Sequence, residues 1–69
     1  MDIRVGRETP GIAVVTIDRP AKRNAIDQAG WRALGDIFEG LAGDGSSRAV
    51  ILTGSGGHFS AGADIGEFA

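Results

Sequence analysis

Apolar and polar residues alternate at the start of the chain: across residues 2–7, Ile3 and Val5 fall on one face and Arg4 on the other. Alternation with a period of two marks an extended strand with one buried face. Thr9-Pro10-Gly11 supplies turn residues. Ile12 to Asp18 then runs back, rich in β-branched side chains (Ile12, Val14, Val15, Thr16, Ile17), so a hairpin is predicted. Pro20 ends the second strand because it has no N–H to give to a ladder. The period then changes. Trp31, Leu34, Ile37, Phe38 and Leu41 recur at helical spacing, with Arg32, Asp36 and Glu39 mostly opposite, and Trp31 and Phe38 read most simply as core. Asp27 is placed as the N-cap, and Ile26 and Trp31 occupy the two positions of a hydrophobic staple. Gly43 and Asp44-Gly45 end the helix. Ala49 to Thr53 is a short apolar run suited to a strand buried on both faces. A glycine-rich stretch follows, and a second helix is expected to begin near Gly62. The predicted order is strand, strand, helix, strand, glycine-rich loop, helix start, with no internal repeat or linker.

Composition narrows the chemistry. A chain of 69 residues makes one small domain at most and buries a modest share of its surface. It contains no cysteine, which excludes disulfides and thiolate metal cages, and its single histidine argues against a zinc site; no metal centre is expected. The net charge of −2 is scattered, leaving no electrostatic footprint for nucleic acid. No apolar run approaches a membrane span, and the first residues lack the apolar segment of a secretory signal. A soluble, reducing, cytoplasmic setting is the expectation. Gly30, Gly35 and Gly40 interrupt the helical pattern, at about 1 kcal/mol each relative to alanine. The final helix signal has no terminator before Ala69, so the sequence is expected to be part of a longer protein.

The stretch Gly54-Ser55-Gly56-Gly57-His58-Phe59-Ser60-Ala61-Gly62-Ala63-Asp64 holds the most chemistry. As a P-loop it fails: Gly57 and Gly62 have the right separation, but Ala63 and Asp64 stand where lysine and a hydroxyl are needed. As a dinucleotide fingerprint it fails at Phe59, where the third glycine belongs. As a nucleophile elbow around Ser60 it fails at His58, which replaces the first glycine, and His58 itself is too close along the chain to act as an independently oriented base. An oxyanion hole remains. A helix starting near Gly62 would leave the Ala63 N–H outside the intrahelical ladder, among small neighbours, with Phe59 buried to anchor the loop. A plain strand-to-helix connection is the simpler reading on generic grounds. Lys22-Arg23 is a candidate phosphate contact or an ordinary solvated pair, and Asn24 is expected to tie its loop together through side-chain hydrogen bonds. Asp64 and Glu67 form a carboxylate pair near the second helix start, read as stabilised there rather than catalytic.

Two of these segments resemble a known family. Asp18-Arg19-Pro20-Ala21-Lys22-Arg23-Asn24-Ala25-Ile26 resembles the strand end and loop of the crotonase superfamily, the enoyl-CoA hydratases and isomerases. Val50-Ile51-Leu52-Thr53-Gly54 followed by His58 to Ile65 resembles its acyl-CoA signature. The resemblance implies an α/β fold, the first ββα turn of a crotonase spiral plus the start of the second, with residues 1–69 an incomplete N-terminal part of the domain. It implies acyl-CoA as substrate with no cofactor, the Ala63 N–H as one of two donors to the thioester carbonyl, and main-chain groups of Ala61 through Gly66 (Ala61, Ala63, Asp64, Ile65, Gly66) along the pantetheine and adenine path. Lys22, Arg23 and Ala25 match the segment that lies along CoA. Asp64 is assigned to shaping the loop, and Gly66 replaces a larger residue often found there. In the family the second donor and the hydratase glutamates lie beyond the equivalent of Ala69, so this chain alone is expected to be inactive. The parent reaction implied is hydration of a trans-2-enoyl-CoA, in a homotrimer or hexamer. Isomerase, hydrolase and decarboxylase members, or a non-catalytic acyl-CoA-binding or assembly piece, are the alternatives.

Overall fold

A computed structural model describes residues 3–68, with the side chains of Glu67 and Phe68 outside the description. Strand β1 (Ile3–Thr9) pairs antiparallel with β2 (Ile12–Ile17), in a register that sets Ile3 opposite Ile17 and Val5 opposite Val15. Pro10 and Gly11 turn the corner, and the ladder shifts register between Gly6 and Thr9. The chain then crosses through helix α1 (Gln28–Gly43) and returns as β3 (Ala49–Gly54), parallel to β2 from Ile12↔Ala49 to Ile17↔Gly54. The sheet order is β1-β2-β3. Antiparallel strands need only a tight turn, whereas parallel ones need a crossover, and α1 is that crossover.

Asp27 caps α1 as its type predicts: its carboxylate accepts the Gly30 N–H at 2.7 Å. Ile26, just before the cap, is buried over Gly30, where an added Cβ would stand 2.9 Å from the Ile26 Cγ2. Gly30, Leu34 and Leu41 form the buried stripe of the helix, with Ala33 and Ile37 half-buried beside it. That stripe meets Ile3, Ala13, Val15 and Ile17 on one face of the sheet, and Ile26 completes the core.

Three expectations are corrected. Trp31 and Phe38 are not core: they are 51% and 38% exposed, because the Gly30–Leu34–Ile37–Leu41 spacing places them at the margin of the stripe. Nor is β3 buried on both faces. It is a sheet edge, and Val50, Ile51 and Leu52 all stand exposed, since α1 leans on β1 and, among the described residues, β2 is the one element in contact with β3. Finally, no α-helix begins near Gly62. The chain there stays extended and closes only in a short 3-10 turn, Ile65–Phe68.

Candidate functional site

The loop after β2 bends sharply through a 3-10 turn at Pro20–Lys22, then through Arg23 and Asn24, both left-handed at φ 52° and 58°. Asparagine tolerates that region better than most residues. Here the bend carries the Asn24 side chain to full burial. Its Oδ1 accepts the Arg19 N–H at 2.8 Å, and its Nδ2 donates to the carbonyls of Ser55 and His58 at 2.8 and 2.9 Å. A buried amide must find such partners or forfeit the hydrogen bonds it had with water. By finding them, Asn24 ties the loop after β2 to the loop after β3. Gly54 permits the closeness, because any Cβ there would run into the Phe59 and His58 carbonyl oxygens and the Asn24 Nδ2.

The two loops then run alongside each other. The Ala61 N–H donates to the Arg23 carbonyl at 3.0 Å, and the Ser60 hydroxyl donates to the Asn24 carbonyl at 2.8 Å. Ile26 and Ala63 form an isolated parallel bridge, in which the Ile26 N–H donates to the Gly62 carbonyl at 2.7 Å and the Asp64 N–H to the Ile26 carbonyl at 2.9 Å. Gly62, at φ 95°, makes the turn into this bridge, and its own N–H is taken by the Ser60 Oγ at 3.0 Å.

This arrangement decides where the Ala63 amide points. Successive peptide groups of an extended chain face opposite sides. With the Gly62 carbonyl and the Asp64 N–H both turned toward Ile26, the N–H of Ala63 faces away. Ala63 is exposed, and its N–H has no acceptor among the described residues. The donor is left unpaired by a bridge between the two loops, not by a helix start.

Charge around the amide is organised. One guanidinium nitrogen of Arg19, Nη1, donates to the Ala25 carbonyl at 3.0 Å and to the Asp64 Oδ2 at 2.9 Å, and stands 4.0 Å from the Asp27 Oδ2. The other Asp64 oxygen accepts the Gly66 N–H at 3.0 Å. Those two bonds, Arg19 first, hold the Asp64 carboxyl below the usual carboxylate range. Lys22, Arg23, Ala61, Ile65 and Gly66 are exposed on the same two segments, and Ala25 is half-buried. Ser60 spends its hydroxyl on the Asn24 carbonyl of the neighbouring loop and on the Gly62 N–H. Phe59 is 56% exposed, which corrects the anchoring role expected of it: the Asn24 amide anchors the loop instead. Glu67, the proposed carboxylate neighbour of Asp64, has its side chain outside the described residues. No metal-binding cluster of histidine and carboxylates occurs among the described residues, and no helix there is long and apolar enough to cross a membrane.

Sequence reasoning gave Arg19 no part in the site. Its partner lies 45 positions away, so no local spacing reveals the pair, and the one available signal is that opposite charges stand within the two motifs.

Known proteins share this fold and sequence pattern. The sequence profile of the enoyl-CoA hydratase/isomerase family matches residues 7–69. A probable peroxisomal enoyl-CoA hydratase 1 from Arabidopsis thaliana is 41% identical over 63 residues, covering 91% of this chain and 24% of the relative. A mitochondrial Delta(3,5)-Delta(2,4)-dienoyl-CoA isomerase from Mus musculus is 40% identical over 55 residues, 80% of this chain and 17% of the relative. Among solved structures, an enoyl-CoA hydratase from Mycobacterium tuberculosis H37Rv superposes with a TM-score of 0.90 at 39% identity, over 97% of this chain and 26% of that one. A monofunctional enoyl CoA isomerase from M. smegmatis gives 0.85 at 36% identity, over 93% and 31%. The chain belongs to the enoyl-CoA hydratase/isomerase family and has the fold of a crotonase-like fragment. It spans less than a third of the length of each of these relatives.

Proposed function

We propose that this chain is the N-terminal, acyl-CoA-binding segment of an enoyl-CoA hydratase/isomerase-type enzyme. In this reading the Ala63 N–H is one of two donors to the thioester carbonyl oxygen. The observation that carries it is the amide itself: exposed, without an acceptor among the described residues, and flanked by neighbours whose own N–H groups are consumed. When an enolate forms, negative charge grows on the thioester oxygen, so a donor aimed there gains strength as the barrier is climbed. One such donor supplies about 3–4 kcal/mol. The small residues Ala61 and Gly62 let the ligand approach the backbone, and Ala61 through Gly66 line its path. Lys22 and Arg23, exposed at the turn, meet its phosphates, and Ala25 lies alongside. Asp64 is committed to Arg19 and Gly66, which leaves it a shaping part rather than a proton carrier.

The parent reaction is hydration of a trans-2-enoyl-CoA, with no cofactor, in a cytoplasmic trimer or hexamer. This chain holds half of the oxyanion hole and no acid/base pair for activating water, so alone it is inactive. Titrating the ¹⁵N-labelled chain with crotonyl-CoA tests both halves. The Ala63 amide resonance should move downfield more than any other, while the chain hydrates no crotonyl-CoA. Binding that leaves Ala63 unmoved, or measurable hydration, overturns the reading. The bare apolar strand β3 favours a second reading, an assembly piece that acts only beside a complementary chain. Acyl-CoA binding by the isolated chain would count against it.

A further inference from the structure

We infer that Arg19 is the positioning residue of this site: its guanidinium fixes Asp64, and through Asp64 the bridge that aims the Ala63 N–H. The inference rests on the proposed role of that amide and adds a residue to it. Arg19 is itself held rigidly. Its N–H goes to the Asn24 Oδ1, and its carbonyl accepts the N–H groups of Lys22 and Asn24 at 3.0 and 2.8 Å. From that anchored backbone a single nitrogen reaches three segments: the Ala25 carbonyl just before the bridge, the Asp64 carboxylate just after it, and, more distantly, the Asp27 cap of α1. Asp64 is thereby gripped at its N–H by Ile26, at one oxygen by Arg19 and at the other by Gly66. The pair is about four-fifths buried, with side-chain exposures of 22% and 20%, so water screens it less than an open surface pair.

Two physical effects follow from one contact. The first is geometric. Before the bridge the Ala61 and Ser60 bonds to Arg23 and Asn24 keep the two segments in register, and after it the Arg19 contact to Asp64 does so; an error of about 1 Å in a catalytic group costs on the order of a hundredfold in rate. The second is electrostatic. A carboxylate one residue from a donor that receives a developing oxyanion opposes that charge unless a cation neutralises it. Arg19 supplies that cation, 2.9 Å from the Asp64 Oδ2.

Amide exchange and ligand titration of the ¹⁵N-labelled chain test this with Arg19→Gln and Arg19→Lys. Without ligand, Arg19→Gln should speed exchange of the Ile26 and Asp64 amides at least about tenfold while Val14 and Val15 in β2 stay protected. With crotonyl-CoA at saturation, the downfield shift of Ala63 should shrink in Arg19→Gln and largely return in Arg19→Lys, which keeps the charge. Unchanged bridge amides in Arg19→Gln overturn the inference. So does equal loss of protection across β2, which would assign Arg19 to general folding. Failure of the wild-type chain to bind crotonyl-CoA sinks the acyl-CoA reading instead, and leaves the ligand-free exchange result to decide the role of Arg19 at the bridge.

Discussion

Three polar contacts converge on the Asn24 side chain, from the Arg19 N–H and from the carbonyls of Ser55 and His58. Asn24→Ala would strand all three groups and also place alanine in a left-handed backbone. The expected loss is about 2–4 kcal/mol in urea denaturation, large for a single polar residue. Asp44 shows another kind of polar residue, half-buried at the surface and tuned by neighbours. The Ser46 N–H and hydroxyl, then Arg7 at 2.7 Å, lower its carboxyl from 3.8 to about 2. A depressed native value means the unfolded chain binds the proton more readily. The stabilisation is therefore complete above 3.8 and drains away as pH falls toward about 2. Asp44→Asn should flatten the thermal-midpoint profile in that acid window and leave the neutral end of its slope unchanged.

At the level of elements, α1 carries glycines of two kinds. Gly35 and Gly40 have open space where a Cβ would go, whereas Gly30 is closed in by Ile26 and Asp27. Gly35→Ala and Gly40→Ala should each stabilise the chain by about 0.5–1 kcal/mol, and Gly30→Ala should destabilise it; thermal melts followed by circular dichroism separate the cases. The strands divide similarly. Leu34→Ala empties the core and should cost about 2–5 kcal/mol, while Leu52→Ala on the bare strand should cost under about 1 kcal/mol. An equal cost would show that β3 is covered in solution. The hairpin, the cap and the extent of α1 were legible in the sequence because each rests on local chemistry: β-branched alternation, Asp27 before a helical stripe, glycine after it. The burial of β3 and of Trp31 was misread because apolar composition reports what a surface can bury, not whether this chain supplies the cover. The Ala63 amide was singled out on a helix-start argument, and the structure leaves it without an acceptor among the described residues for another reason, the pairing with Ile26. Contacts that join positions 45 residues apart, as Arg19 and Asp64 do, have no local signature at all.

The molecule as a whole is a thin slab, 41 × 23 × 16 Å, with one helix laid over one face of a three-stranded sheet. Its described core comprises Ile3, Ala13, Val15, Ile17, Ile26, Leu34 and Leu41, a small set for holding a site together. The polar stitching between loops therefore bears much of the site's order, and site and core should respond differently to denaturant. Amides at Ile26 and Asp64 are expected to open at lower urea than those of β2, measurable by native-state exchange. A groove of about 450 Å³ lies between the end of α1 and β3, bordered by Phe38, Leu41, Arg48 and Val50.

The two flanks of the sheet are unlike. On β1 a register break and the charges of Arg4, Arg7 and Glu8 discourage lateral pairing, whereas Ala49 to Gly54 carries no charge, no proline and no such break. Growth of the sheet is thus one-handed: a newcomer strand finds an unwelcoming margin on the hairpin side and a receptive one beside the strand that feeds the glycine-rich loop.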